Sequence, residues 1–240
     1  MQELRQALER RFPDALPLGR GLASAVGTGI PALDLLLPGA GLARGRLTVW
    51  YPGGGATAVL RTAVESVVRR GERSAWVDGA RALSTDFWRS GPLLVRPATE
   101  REALVSAEEL LRSGGFAVVV LTGAVQVGRE AVRLSRAARA GGAAFVLVTE
   151  ESAVTHLRIA SRIQPDGYRW RRDPFGDPIE VVAVRIEVEA SSLGWSGRTS
   201  FELPVRTRHA RVSPEPQLPD RRGVSRSTAR GFRAPWRRGS

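Results

Sequence analysis

Four groups of residues in this 240-residue chain have types and spacing that could do chemistry. The first is Gly53-Gly54-Gly55, set between Pro52 and Ala56-Thr57. Consecutive glycines let the backbone turn sharply, and at the start of a helix the exposed N–H groups of such a turn can hold a phosphate or sulfate. The same run is also an ordinary tight strand-to-helix turn, in which Thr57 merely begins the helix, and we take it as that. The second group, Tyr168-Arg169-Trp170-Arg171-Arg172, alternates aromatic and basic side chains as a surface that stacks a nucleic-acid strand would. The competing reading, which we adopt, is an exposed edge strand with Trp170 turned inward. The third is the C-terminal segment, where Phe232 and Trp236 stand among Arg221, Arg222, Arg237 and Arg238. Aromatic and arginine anchors are what binding hot spots are made of; a solvated basic tail with salt-sensitive attraction to DNA is the alternative. The fourth is His156 and His209, the two histidines of a chain without cysteine. That composition excludes disulfides, thiolate catalysis and cysteine-based zinc sites, so neither metal nor cofactor is expected, and both histidines read as surface or packing residues.

The net charge of +12 is unevenly placed. Ten arginines against Glu215 and Asp220 give the stretch from Val205 onward a net +8, so the remainder carries an ordinary surface charge. Strong nucleic-acid binding by the folded part is therefore not implied; weak non-specific DNA binding through the tail is. With 42% hydrophobic residues the chain can bury a core without covalent staples. No run approaches the ~18 apolar residues of a membrane span, and Met1–Phe12 is a charged amphipathic pattern rather than a signal peptide. The expectation is a soluble, cytoplasmic protein with no membrane partner.

These groups need elements to position them. Leu4, Leu8 and Phe12 fall at helical spacing before Pro13, giving a short amphipathic helix, and residues 1–24 form this helix and a linker. From Ile30 the pattern is α/β. Arg46–Tyr51 reads as a strand, the glycines as its turn, and Leu60, Ala63, Val64, Val67 and Val68 as one face of the next helix. Ser74–Val77 and Leu93–Val95 are strands, and Ser84 can cap a short helix between them. Thr99 with Glu102 makes a capping box for another helix. Phe116–Leu121 suits a central strand buried on both faces, and a helix over 128–140 leads to the strand Ala144–Val148. Strands alternating with helices call for a mostly parallel sheet with helices on both sides. After Pro178 the period changes to two, which predicts an antiparallel β-hairpin closing the sheet. The domain bounds are 25–205 for the core and 206–240 for a largely disordered basic tail.

The run Thr28–Leu60, with its T-G-x-x-x-L-D segment and G-L-x-x-G-R before the first strand, resembles RecA-family proteins. Trp76–Ser84 resembles the strand and turn carrying their catalytic glutamate. Leu93–Leu121 resembles their next strand, helix and Walker B strand, and Ile179–Val205 their final β-region. The resemblance covers roughly residues 25–205 and rests on the order of the pieces. It implies a RecA-like, P-loop-type three-layer core.

Laid on this resemblance, the chemistry is missing. A phosphate loop, G-x-x-x-x-G-K-[ST], would begin at Trp50 instead of glycine and carry Ala56 in place of the phosphate-binding lysine; Gly55 and Thr57 fit. Losing one such charge-assisted contact costs on the order of 1.5–3 kcal/mol. The catalytic glutamate position falls at Ala80, the Walker B aspartate at Thr122 and the γ-phosphate-sensing glutamine at Glu150. Four roles fail together, which predicts a pseudo-ATPase rather than an enzyme. The interval Gly123–Gly128 is too short, and the one after Glu150 too acidic, for recombinase-style DNA loops.

Among RecA-like proteins without an active site, the chain most resembles the ImuA family, accessory factors of damage-induced translesion mutagenesis in the SOS response. Resemblance implies ImuB as a partner, through the tail, an error-prone C-family DNA polymerase indirectly, and nucleoid association on DNA damage. In RecA filaments an N-terminal helix packs on the neighbouring core, so Leu4, Leu8 and Phe12 either dock on RecA or another copy, or fold back on their own domain. The runner-up is a SulA-type cell-division inhibitor; behind it stands an ATP- or DNA-binding recombinase-like enzyme with an atypical loop.

Overall fold

The computed structural model describes residues 24–84, 88, 91–124, 128–150 and 156–205. The expected N-terminal helix with Leu4, Leu8 and Phe12, and the tail with Arg221, Arg222, Phe232, Trp236, Arg237 and Arg238, lie outside the described residues. The chain divides into a compact unit, 1–207, and a second, 208–240, and all of the described residues belong to the first.

The strands in chain order are β1 (Ala25–Val26), β2 (Leu42–Ala43), β3 (Leu47–Trp50), β4 (Ser74–Asp78), β5 (Leu93–Val95), β6 (Val118–Thr122), β7 (Ala144–Val148), β8 (Leu157–Arg172), β9 (Pro178–Ser192) and β10 (Trp195–Pro204). The helices are α1 (Pro31–Leu36), α2 (Ala56–Arg69), α3 (Glu100–Arg112) and α4 (Gly128–Gly141). Among the described residues β1 and β2 form a small antiparallel pair, and the other eight strands form one sheet in the order β10-β9-β8-β3-β7-β6-β4-β5. Pairing is parallel from β8 through β3, β7, β6 and β4 to β5, and antiparallel from β8 through β9 to β10.

Alternation along the central strands feeds two cores. Trp50, Trp76, Val118, Val120 and Val146 face α2 and α1, where Val59, Leu60, Val64 and Leu33 meet them. Val49, Val77, Val119, Leu121 and Phe145 face α3 and α4, against Ala107, Leu111, Ala131 and Leu134. The result is the expected three-layer α/β core with a mostly parallel sheet, its β6 buried on both faces. Small alanines let α3 and α4 lie close, and between them Glu108 accepts from Arg112 (2.6 Å) and Arg133 (2.7 Å).

The segment Thr28–Asp34 is a lock. Asp34 accepts the Thr28 N–H (2.6 Å), the Thr28 hydroxyl (2.8 Å) and the Gly29 N–H (3.2 Å), fixing the chain as it enters α1. Gly29 has φ 75° and its backbone passes so near Ser66 that a Cβ would sit 2.2 Å from Oγ, so α1 is pinned to α2 by backbone. At α3 half of the expected capping box forms: Thr99 Oγ1 accepts from the Glu102 N–H (3.2 Å), while the Glu102 carboxylate accepts from the Ala98 N–H (2.8 Å), one residue before the N-cap.

The expected short helix after Ser84 falls on residues outside the description. The expected antiparallel hairpin is present as β9 and β10, and β8, 16 residues long, lies antiparallel to β9 on its other side. One expectation needs correction: Trp170 is not turned inward but is 47% exposed, with Tyr168 and Phe175 beside it in sequence also exposed. The strands at Tyr168–Arg172 and Pro178–Val182 extend past the end of β10, where no helix among the described residues forms part of either core.

The face of β8–β10 opposite α2 carries a charge lattice. Glu187 accepts from Arg162 (3.0 and 2.7 Å) and Gln164 (3.3 Å), and Arg198 lies 3.1 Å from its other oxygen. The hydrogen bond from Arg162, then that from Gln164, hold the Glu187 carboxyl below the usual range against the opposing effect of partial burial. A carboxylate whose folded pKa is depressed contributes stability that is present above its unfolded pKa, about 4.3, and is lost as pH falls through the folded value. Acid titration of unfolding, followed by circular dichroism, should therefore show a shallower loss of stability below about pH 4.3 in Glu187→Gln than in the wild type.

Candidate functional site

The site grows from the end of β3. Tyr51 N–H donates to Ile159 O (2.8 Å), so the chain leaving Trp50 still follows β8. It then crosses that strand in the glycine turn. A Cβ on Gly53 would lie 2.7 Å from Ser161 O, one on Gly54 3.0 Å from Ile163 N, and one on Gly55 2.7 Å from Ile186 Cδ1. Gly55 also has φ 88°, a left-handed conformation that disfavours any side chain. All three glycines are thus demanded by backbone packed on β8 and β9. The turn also uses its own donors: Ala56 N–H turns back to Gly53 O (3.2 Å) and Val59 N–H to Gly55 O (3.0 Å).

Trp50 lies beneath, 1% exposed, in one cluster with Ala56, Val59 and Leu60. Its Nε1–H donates to Ser161 Oγ (3.2 Å). Ser161 therefore supports the turn twice, through its carbonyl under Gly53 and its hydroxyl on Trp50. Ala56 is buried in the same core, so its side chain is directed away from solvent.

Thr57, Ala80, Thr122 and Glu150 come together around one cavity of about 490 Å³, at the carboxyl ends of β3, β4, β6 and β7, where ligand crevices of open α/β sheets lie. Pro52, Trp76, Leu83, Ala124 and Val148 complete much of its wall. Trp50 and Ala56 are not among the lining residues. Among the described residues two carboxylates line it, Asp78 and Glu150, and no arginine does.

Those two acids have different status. Asp78 is fully buried, accepts the Ala82 N–H (3.1 Å) and Leu83 N–H (3.0 Å), and sits 3.6 Å from Arg96 Nε. It brackets the turn after β4. Arg96 also bonds Leu83 O, and Arg81 reaches Pro97 O (3.3 Å), tying that turn to the loop after β5. Glu150, in contrast, is exposed at the rim, where its charge opposes an incoming anion. Thr122 is engaged within the wall: Trp76 Nε1–H donates to its hydroxyl (3.3 Å), which has Val77 O and Asp78 Oδ1 each at 3.4 Å.

The wall around Trp76 was not legible as a site. Trp76 contacts Trp88 at 6.1 Å between ring centres, and the Arg61 guanidinium lies over Trp88 at 5.5 Å, a cation–π contact. The signal available was one tryptophan in the alternation of β4, which reads as core. Among the described residues no group of three or more histidines and carboxylates is placed to hold a metal. Chemically, the cavity offers apolar walls, three threonine side chains (Thr57, Thr122 and Thr149) and a negative rim.

Comparison with known proteins adds the lineage. The chain is 35% identical over 111 residues to the protein RecA of Amycolatopsis mediterranei, covering 43% of this chain and 32% of that protein. It is 35% identical over 106 residues to RecA of Salinispora tropica and 36% over 106 residues to RecA of Nocardia farcinica, in each case 41% of this chain and 30% of the relative. Over that stretch the chain is similar to RecA. The match spans about a third of the length of these relatives, and no family model matches. The sheet order, the two helical layers and the antiparallel β8–β10 region give the fold that this RecA-like sequence implied. No helix among the described residues is long and apolar enough to cross a membrane.

The buried Asp78 gives a direct test of how the cavity wall is held. Asp78→Ala leaves the Ala82 and Leu83 N–H groups without their acceptor, and urea unfolding should show a loss of about 3 kcal/mol, since an orphaned buried donor costs roughly 1–3 kcal/mol.

Proposed function

We propose that the protein is a non-catalytic, RecA-like adaptor of the DNA-damage mutagenesis machinery, a pseudo-ATPase of the ImuA type that works by binding ImuB and RecA in support of error-prone translesion synthesis. Its similarity to RecA supports the recombination and repair setting. The observation that carries the non-catalytic part is the glycine turn itself. Its three glycines are held against Ser161, Ile163 and Ile186, and its first helical residue buries an alanine in the core where the motif has its lysine. An ATPase of this type needs donors directed at phosphate oxygens, a cation on the β/γ-phosphates and a carboxylate for Mg²⁺. The cavity has Thr122 bonded to Trp76 at the carboxylate position, Ala80 at the base position and Glu150 at the sensor position.

Protein binding is then the remaining use of such a scaffold. The tail residues Arg221, Arg222, Phe232, Trp236, Arg237 and Arg238 are the proposed ImuB contact, and Leu4, Leu8 and Phe12 the proposed RecA contact. Deleting residues 221–240 should abolish co-purification with ImuB, while changing Leu8 and Phe12 to Ser should reduce retention on RecA. Loss of DNA affinity alone after the tail deletion would speak for the solvated-tail reading. Retention on the tubulin-like division protein in place of ImuB would favour the division inhibitor.

The non-catalytic reading makes a prediction for repair of the loop. Calorimetric titration with ATP and Mg²⁺ should show no saturable binding, and Ala56→Lys should not restore it. Because Ala56 is buried among Trp50, Val59 and Leu60, the lysine would place an unpaired charge in the core and lower stability by roughly 3 kcal/mol or more. Measurable ATP turnover by the wild type would sink this reading.

A further inference from the structure

The eight-stranded sheet has two edges of unlike character. At one, β5 is three residues long; at the other, β10 runs ten residues in unbroken register with β9. Among the described residues no strand pairs with the outer side of β10. A long regular edge is a template for another strand, and most proteins blunt theirs with bulges, prolines or brevity.

The backbone phase of this edge is fixed. Val205 N–H donates to Val182 O (3.0 Å), in line with the register that pairs Pro204 with Ala183. Hydrogen-bonding direction alternates along an antiparallel strand. The odd-numbered residues of β10 therefore bond β9, and Ser196, Arg198, Ser200 and Glu202 turn their N–H and C=O groups outward. Pro204, which has no N–H, falls in the outward set, where a proline does least harm.

The side chains of the same residues carry a self-complementary charge pattern. Arg198 pairs inward with Glu189 (3.2 Å) and Glu187 (3.1 Å), and Glu202 pairs inward with Arg185 (3.4 Å). Laid antiparallel to a second copy and centred on Ser200, the strand sets Arg198 opposite Glu202 of that copy, and Glu202 opposite its Arg198. Across the seam the row then reads Glu189, Arg198, Glu202, Arg185, alternating in sign. Among registers that keep the outward peptide groups facing each other, this one alone pairs opposite charges. Those displaced by four residues set Arg198 on Arg198 or Glu202 on Glu202, which is unfavourable. On the other face the same register brings Phe201 against Thr199 of the second copy, an aromatic and β-branched pair of the kind that stabilises sheets.

We propose that the protein forms a homodimer by antiparallel pairing of β10 with β10 of a second copy, centred on Ser200, so that the sheet continues through a twofold axis. The closed symmetry follows from the self-complementary patch. The pairing uses neither the cavity nor the tail and stands apart from the adaptor reading.

The test is sedimentation of the full chain. The wild type should sediment as a dimer. Ser200→Pro removes an outward N–H without touching the ladder to β9, so it should keep its circular dichroism spectrum and weaken the dimer at least about tenfold, the effect of losing the two symmetric hydrogen bonds. Arg198→Glu and Glu202→Arg should each weaken self-association, and their equimolar mixture should recover a mixed dimer, because each variant then offers the charge that the other lacks. Ser200→Cys supplies the sole thiol of a cysteine-free chain and should cross-link to itself on mild oxidation. A monomeric wild type at its highest soluble concentration, unchanged association in Ser200→Pro, or failure of the thiol to cross-link would each overturn the proposal.

Discussion

The close approach of Gly53, Gly54 and Gly55 to Ser161, Ile163 and Ile186 is the contact on which the rest of the site depends. A parallel sheet ends its strands at a common edge, and the loops leaving that edge normally stand clear of it to receive a ligand. In this chain the loop after β3 lies down on its neighbours instead. With the turn in that position, Trp50 occupies the volume underneath and finds its hydrogen-bond acceptor in Ser161. The start of α2 is then set by close contact with β8 and β9. Glycine is required at these positions for a reason unrelated to phosphate, which is why a glycine-rich sequence is a poor witness to nucleotide binding when its neighbours are unknown.

The parallel half of the fold was legible because its strands are short and apolar and alternate with amphipathic helices; Thr99 with Glu102 announces α3, and Phe116–Leu121 announces β6. The strand β8 was not. Its first half, Leu157–Ile163, alternates cleanly, but Gln164-Pro165-Asp166-Gly167 reads as a turn. In the structure that stretch is absorbed as an irregularity between Ile163 and Tyr168, while β9 carries the register onward from Ile186 to Val184. Turn chemistry and strand continuity compete in that stretch, and pairing with β9 prevails. Trp170 was misplaced for a related reason. An aromatic on an alternating strand is usually turned toward a core, but this part of the strand extends past β10, beyond the reach of either core, so the alternation has no buried side to choose.

At the site the balance is similar. The positions Thr57, Ala80, Thr122 and Glu150 were identifiable from the order of segments, and the structure brings them to one cavity. The hydrogen bond from Trp76 to Thr122 joins residues 46 apart in sequence on strands that meet only when the sheet assembles. No local pattern encodes it. The same holds for Arg96 on Asp78, whose partner lies beyond an intervening segment and a further strand.

These contacts also explain how a fold shaped like a ligand site can be stable without a ligand. A crevice at the ends of parallel strands exposes polar groups that something must satisfy. In this chain the satisfaction is internal. Asp78 accepts the N–H groups of its own turn, Thr122 accepts from Trp76, Ser161 accepts from Trp50, and the Ala56 N–H turns back to Gly53 O. Asp78 and Thr122 in the wall thus have protein partners, while Thr57 faces the cavity and Glu150 stands exposed at its rim. Contacts of this kind hold the cavity wall at β4 and β6 through the protein's own groups.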